Sequence, residues 1–380
     1  MRRLTLLLMV CLSWPVLAGD VADWPARLEA RLVALEAGFD GELGVHVRPL
    51  GEQARFGWRD EEDWYLASLV KIPVAVELLA RAEAGELTLD EQLVLRERDY
   101  VDGAGPTNWA EPGTALTLRE LLVPMLTVSD NTATDMLIER LGLEAVNRRA
   151  RSLVANPEAL GPITPLVEVR REAYGQLHPG AHSLTGMDFI LLRQVEEDEA
   201  RLDALAETLG EPRSALELPS LDAAFAAYYA SGLNAGRLDA FAELLAAIGE
   251  GRALGPAATG ELLAIMSATT SGEDRLKAGL GPDIRFAHKT GTQHRRSCDA
   301  GIAAYGEGAG ERRVVVVACT RGERKVEPAE RLLYDIGRAI RESGVSEQGD
   351  ADDRQARSCK KKANQCQQPV ASHQRQPEQR

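Results

Sequence analysis

After its N-terminus the 380-residue sequence has no second apolar run long enough to cross a bilayer, which excludes a bundle of membrane-spanning helices. It has no surplus of positive charge either. Its 44 Lys and Arg face 58 Asp and Glu, a formal net charge of −14, and so acidic a balance argues against non-specific nucleic-acid binding. Histidine is scarce, with six in the chain. His178 and His182 are four apart, but Pro179 and Gly180 between them prevent the helical geometry of zinc sites, and no cysteine or third histidine is near. No cofactor fingerprint and no internal repeat is visible. The expectation is therefore a chain that uses no metal, no cofactor and no nucleic acid.

The two ends differ from the middle. Arg2 and Arg3 precede a mostly apolar stretch from Leu4 to Val16, and Val16-Leu17-Ala18 offers residues that a signal peptidase reads. The run is short and broken by Pro15, which favours a cleaved signal at residues 1–18 over a retained anchor. This predicts a mature protein that is soluble and periplasmic or secreted, and a monomer. Residues 346–380 are rich in Gln, Ser, Arg, Lys and Asp with almost no large apolar side chains. Such a composition cannot offset its ordering entropy, which predicts a disordered tail. Residues 19–345 remain for one domain with an ample core. Cys11 leaves with the signal, and Cys359 and Cys366 sit unpaired in the tail. Cys298 and Cys319 are symmetric about a turn at Gly308-Ala309, so a hairpin would place them opposite each other. A disulfide and two buried thiols are both open there.

Hydrophobic patterning gives the architecture. Trp24 to Ala37 reads as an amphipathic helix with Leu28, Leu32 and Leu35 on one face. Leu43, Val45 and Val47 alternate as in a half-buried strand, with Arg55 to Arg59 as its partner. Ser68 to Ala84 is helical and apolar on most faces, hence buried. Leu116 to Leu141 holds two helical segments. Ile284 to Thr292, Cys298 to Tyr305 and Arg313 to Cys319 read as three consecutive strands, the last central because Val314 to Val317 is continuously apolar. Pro328 to Ser343 closes as a helix. The fold class is α+β in three α/β/α layers. An antiparallel sheet of about five strands, built from both ends of the chain, carries the terminal helices, and residues 65–270 or so form an all-helical lobe.

Three short strings carry the chemistry. In Ser68-Leu69-Val70-Lys71 the lysine returns to the serine's side of a helix one turn later. Burial favours the neutral amine, which makes Lys71 a base for the weak nucleophile Ser68. Ser358 and Lys361 repeat the spacing in the tail without a buried helix, so context decides. Ser129-Asp130-Asn131 offers a hydroxyl that relays a proton to a leaving nitrogen and an amide that grips a carbonyl. The same three residues are good helix caps. Lys289-Thr290-Gly291, followed by Thr292, offers an ammonium and two hydroxyls for a carboxylate, with Gly291 letting backbone come close to a ligand. Ser68, Lys71 and Ser129 are the catalytic candidates; Asn131, Lys289, Thr290 and Thr292 are the substrate-binding ones.

The three motifs, in this order and in a sheet–helix–sheet layout, resemble class A β-lactamases and related penicillin-recognising serine hydrolases. Leu118-Arg119-Glu120-Leu121-Leu122 before Ser129 and Thr132-Ala133 after Asn131 extend the likeness, which is best over residues 40–150 and 235–342. The resemblance implies a β-lactamase/transpeptidase-like fold and an acyl-enzyme on Ser68. It also implies an oxyanion hole from the backbone N–H groups of Ser68 and Thr292. The substrate it implies is a small β-lactam or a peptidoglycan-like peptide. One departure stands out. The family's Glu-x-x-Leu-Asn pentad, whose glutamate directs water onto the acyl-enzyme, is absent. Ser129 and Lys289 are 160 positions apart, and the excess falls at about residues 160–232. Glu168 and Glu172 are the nearest replacement carboxylates, with Glu168 the candidate deacylating base. Three readings follow: a β-lactamase, a D-Ala-D-Ala carboxypeptidase or related peptidase or esterase, and a binding protein that stays acylated.

Overall fold

A computed structural model describes residues 23–346. The signal segment expected at residues 1–18, Cys11, Cys359, Cys366 and all of the tail beyond Ser346 lie outside the described residues. Five strands form one antiparallel sheet: β1 (Glu42–Pro49), β2 (Phe56–Trp58), β3 (Arg285–Gln293), β4 (Arg296–Tyr305) and β5 (Arg312–Arg321), in the order β2-β1-β5-β4-β3. The valine run puts β5 at the centre because both of its faces are covered. Val314 and Val316 join one core with the helices α1 (Trp24–Glu36) and α6 (Val326–Ser343), while Val315 and Val317 join the core of the helical lobe. A strand buried on both sides needs apolar residues at every position. Helix α6 begins two residues earlier than its sequence pattern predicts. Pro328 is accommodated in its first turn, where backbone N–H groups have no intrahelical acceptor.

The hairpin of β4 and β5 runs two residues past each cysteine, and Cys298 stands directly opposite Cys319. The two form a disulfide, S–S 2.04 Å, which decides between the two options the sequence left open. Four three-residue strands escaped the sequence reading: Asp63–Tyr65 pairs with Ala235–Arg237, and Gln92–Val94 with Ala115–Thr117. Three residues are too few for an alternating pattern to register.

The helical lobe is built round α2 (Lys71–Glu83), in which every residue from Lys71 to Leu79 is buried. Here the structure corrects one expectation. Ser68 is not on the α-helix but on a 3-10 turn, Ala67–Val70, that leads into it, and Lys71 is the first α-helical residue. Ala67 holds a left-handed backbone (φ 48°) just before the nucleophile candidate, the kind of local strain that functional turns carry. Helices α3 (Leu118–Thr127) and α4 (Asn131–Leu141) flank Ser129. The long segment between the second and third motifs folds as helices too, among them α5 (Leu166–Gly175) and Asp198–Leu209. No helix among the described residues is long and apolar enough to cross a membrane.

Candidate active site

Edge strand β3 packs against the turn that carries Ser68. A Cβ on Gly291 would lie 2.8 Å from Leu66 O and 3.2 Å from Ser68 N, so only glycine lets strand and turn meet. The close approach that Gly291 permits is made here by the protein's own turn. The contact sets Thr292 beside Ser68, and both line one small pocket with Asn131, Leu166 and Arg170.

The second motif enters from the α3–α4 junction. Asp130 caps α4, accepting from Ala133 N at 2.9 Å, and also holds the facing loop by accepting from Thr107 N at 2.9 Å. The capping thus falls to the middle residue of the tripeptide. With Asp130 turned inward, Ser129 adopts a left-handed backbone (φ 64°) and faces Lys71. Lys71 Nζ donates to Ser129 O at 2.7 Å and to Asn131 Oδ1 at 2.7 Å, and lies 3.0 Å from Ser129 Oγ. Asn131 Nδ2 donates to Asp102 O at 2.6 Å, which fixes the orientation of its amide.

Lys71 is fully buried. Burial draws its ammonium down to about 7, and the nearby carboxylates Asp130 and Asp135 only partly resist. A neutral amine has a lone pair to accept a proton, and its contact with Ser129 Oγ offers a route onward to that hydroxyl.

The third motif is equally enclosed. Lys289 is fully buried and donates to Thr290 O at 2.9 Å. Burial first, then the like charges of Lys71 and Arg275, hold it well below the ordinary lysine value. An arriving carboxylate would supply the counter-charge that favours its ammonium form. Thr290 Oγ1 shares a 2.6 Å hydrogen bond with Ser271 Oγ, and Thr292 Oγ1 accepts from Arg275 Nη2 at 2.7 Å. Arg275 also donates to Gly291 O, Cys298 O and Glu330 Oε1, so one buried guanidinium ties the motif strand to β4 and α6. Sequence reasoning missed it, since a lone arginine in Gly272-Glu273-Asp274-Arg275 carries no pattern.

Glu168, the candidate deacylating carboxylate, is engaged by an arginine of its own helix. Glu168 Oε1 accepts from Arg171 Nη1 at 2.7 Å on α5, and the wall beside Ser68 is lined instead by Leu166, Val169 and Arg170. Asp135, also unforeseen, accepts from Leu166 N at 2.6 Å and Val167 N at 2.9 Å and so anchors the first turn of α5. Burial raises its carboxyl to about 7, against the pull of those two bonds and of Lys71. Its signal was only its place on α4, four residues past Asn131 on the same side of the helix. Among the described residues no group of three His, Cys, Asp or Glu side chains could hold a metal ion.

A sequence model of the beta-lactamase enzyme family matches residues 27–343. A β-lactamase from Rhodobacter capsulatus is 30% identical over 196 residues, 50% of this chain and 66% of that protein. The chain spans about half the length of the other curated relatives it matches. Among solved structures, the β-lactamase from Sphaerobacter thermophilus is 23% identical with a TM-score of 0.61, over 85% of this chain and 99% of that one. PBP-A is 20% identical with a TM-score of 0.59, over 84% and 95%. At these identities the structural likeness shows the fold.

Proposed function

We propose that this chain, which belongs to the beta-lactamase enzyme family, is an exported serine hydrolase that opens the amide of a β-lactam through an acyl-enzyme on Ser68. The observation that carries the reading is the buried Lys71, shifted to about 7 and hydrogen-bonded to Ser129 and Asn131. Neutral Lys71 takes the proton of Ser68 as its Oγ attacks the carbonyl carbon. The backbone N–H groups of Ser68 and Thr292 hold the oxyanion. Collapse breaks the C–N bond, Ser129 gives its proton to the departing nitrogen, and Lys71 returns one to Ser129. Lys289, Thr290 and Thr292 hold the substrate carboxylate, and Asn131 the acyl-side carbonyl. The reading includes a monomer without cofactor; a mature N-terminus just after Ala18 in a periplasmic fraction tests the export it assumes.

A second reading shares acylation and differs afterwards. Glu168 is engaged by Arg171 and the wall beside Ser68 presents Leu166 and Val169, which favours slow release of the acyl group. That suits a D-Ala-D-Ala carboxypeptidase of the penicillin-binding kind, or a protein that binds β-lactams or cell-wall fragments without turnover. One experiment separates them. The mature protein is mixed with a chromogenic cephalosporin, and hydrolysis and intact mass are followed together. Many turnovers that vanish in Ser68→Ala support the hydrolase. A lasting adduct without turnover supports the second reading. Neither hydrolysis nor adduct rejects both.

A further inference from the structure

The pocket that holds Ser68 does not end at Thr292. A cavity of about 490 Å³ continues from it, sharing Arg170, Thr292 and Gln293. Its outer walls come from the enlarged segment between the second and third motifs and from the His294-Arg295 turn joining β3 to β4. Five arginines line it, Arg170, Arg193, Arg201, Arg295 and Arg324, together with Asp102 and Glu196; Arg201 is itself bound to Val195 O and Glu196 O. With Asp198 and Asp222, which pair with these arginines, counted as well, five arginines still outnumber four carboxylates in a chain of net charge −14.

The pairing inside this cluster is incomplete. Asp102 binds Arg170 at 2.6 Å and Arg193 at 3.3 Å. Asp222 is hydrogen-bonded to His294 Nε2 at 2.5 Å. Arg295 Nε lies 3.5 Å from the same oxygen, beyond a good hydrogen bond, and is buried with no hydrogen-bond partner. Arg324 reaches Asp198 and Asp222 only at 3.6 and 3.8 Å, too far for good hydrogen bonds. Arg295 is also held in a left-handed turn (φ 55°), so its place at the rim is set by the hairpin. Beside these groups the wall is aromatic: His294 stacks on Phe225 with centroids 4.9 Å apart, and Tyr174 and Phe189 adjoin.

We propose that this cavity is an acyl-side subsite for a substrate whose acyl substituent has an apolar segment and ends in a carboxylate. The inference rests on Ser68 being the nucleophile. With one carboxylate held near Lys289, a substituent running along β3 past Thr292 reaches the turn after two to three residues of strand, about 7–10 Å. There an incompletely paired guanidinium makes a charge-assisted hydrogen bond, and the aromatic wall covers the chain.

The test uses two cephalosporins that differ in one group. The amino nucleus is acylated with glutaric acid, leaving a free carboxylate, or with glutaramic acid, leaving a neutral amide of the same shape. Acylation of the intact protein is followed by absorbance and by mass. The expected result is a preference for the carboxylate of about tenfold or more in acylation efficiency, shrinking as salt is added. That ratio falls toward unity in Arg295→Gln and in Arg324→Gln, two variants on different elements, so misfolding of one does not decide the matter. Equal acylation by both probes, or a ratio unchanged in both variants, overturns the subsite and leaves the proposed hydrolase standing. Acylation by neither probe removes the nucleophile reading itself, and the subsite falls with it.

Discussion

If Lys71 is the base, the pH dependence of acylation is set by its burial. A lysine at its ordinary value of 10.5 is about one part in 3000 neutral at pH 7, whereas at about 7 it is half neutral. The enclosure raises the supply of base by roughly three orders of magnitude, equivalent to about 4 kcal/mol at about 1.4 kcal/mol per decade. Because the shift is downward, the neutral form accumulates as pH rises through about 7. Acylation of Ser68 should climb between pH 5 and 7 and level off above 8. Stopped-flow mixing with a chromogenic cephalosporin at pH 5–9, extrapolated to the acylation rate, reads this directly. Lys71→Ala should lose roughly three orders of magnitude at pH 8, and Lys71→Arg should lose as much, since a guanidinium keeps the charge but cannot deprotonate. Asp135 favours the ammonium form of Lys71, so Asp135→Asn should move the inflection to lower pH. A flat profile, or an arginine variant within tenfold of the parent, refutes the assignment.

Gly291→Ala should separate β3 from the nucleophile turn, because its Cβ would lie 2.8 Å from Leu66 O. The cost is about 1–3 kcal/mol in a urea titration, with acylation at least tenfold slower. Replacing Cys298 and Cys319 together by serine opens a loop of 21 residues' separation, and should lower stability by about 3 kcal/mol in a denaturant titration. Glu168→Gln should leave the lifetime of the acyl-enzyme, read by intact mass, within about twofold, because this carboxylate is turned to Arg171; strong accumulation of the adduct would restore Glu168 as the deacylating base.

Legibility followed the reach of local pattern. The continuous valines mark β5 as central from the sequence alone, and the all-round apolar helix after Ser68 implies a buried lysine. Ser129-Asp130-Asn131 could be read both as a cap and as a site, and it is a cap through Asp130 while Lys71 engages the residues on either side. The remainder lay in contacts between distant segments. Nothing near Asp135 foretells that it holds the first turn of α5, and nothing near Arg275 that it ties Thr292 to Glu330. The 3-10 turn at Ser68 and the three-residue strands are too short for periodicity to detect. Glu168 shows the limit from the other side: its place in the sequence suited the missing glutamate, but the side chain's direction is set by Arg171.

The central claim is that Ser68 is acylated by a β-lactam. Intact mass of the mature protein after exposure to benzylpenicillin tests it, read within seconds of mixing so that a short-lived adduct is caught. The expected result is a gain equal to the whole penicillin, located by peptide mapping on Ser68 and absent in Ser68→Ala. No gain in mass, or an adduct that persists in Ser68→Ala, would contradict it.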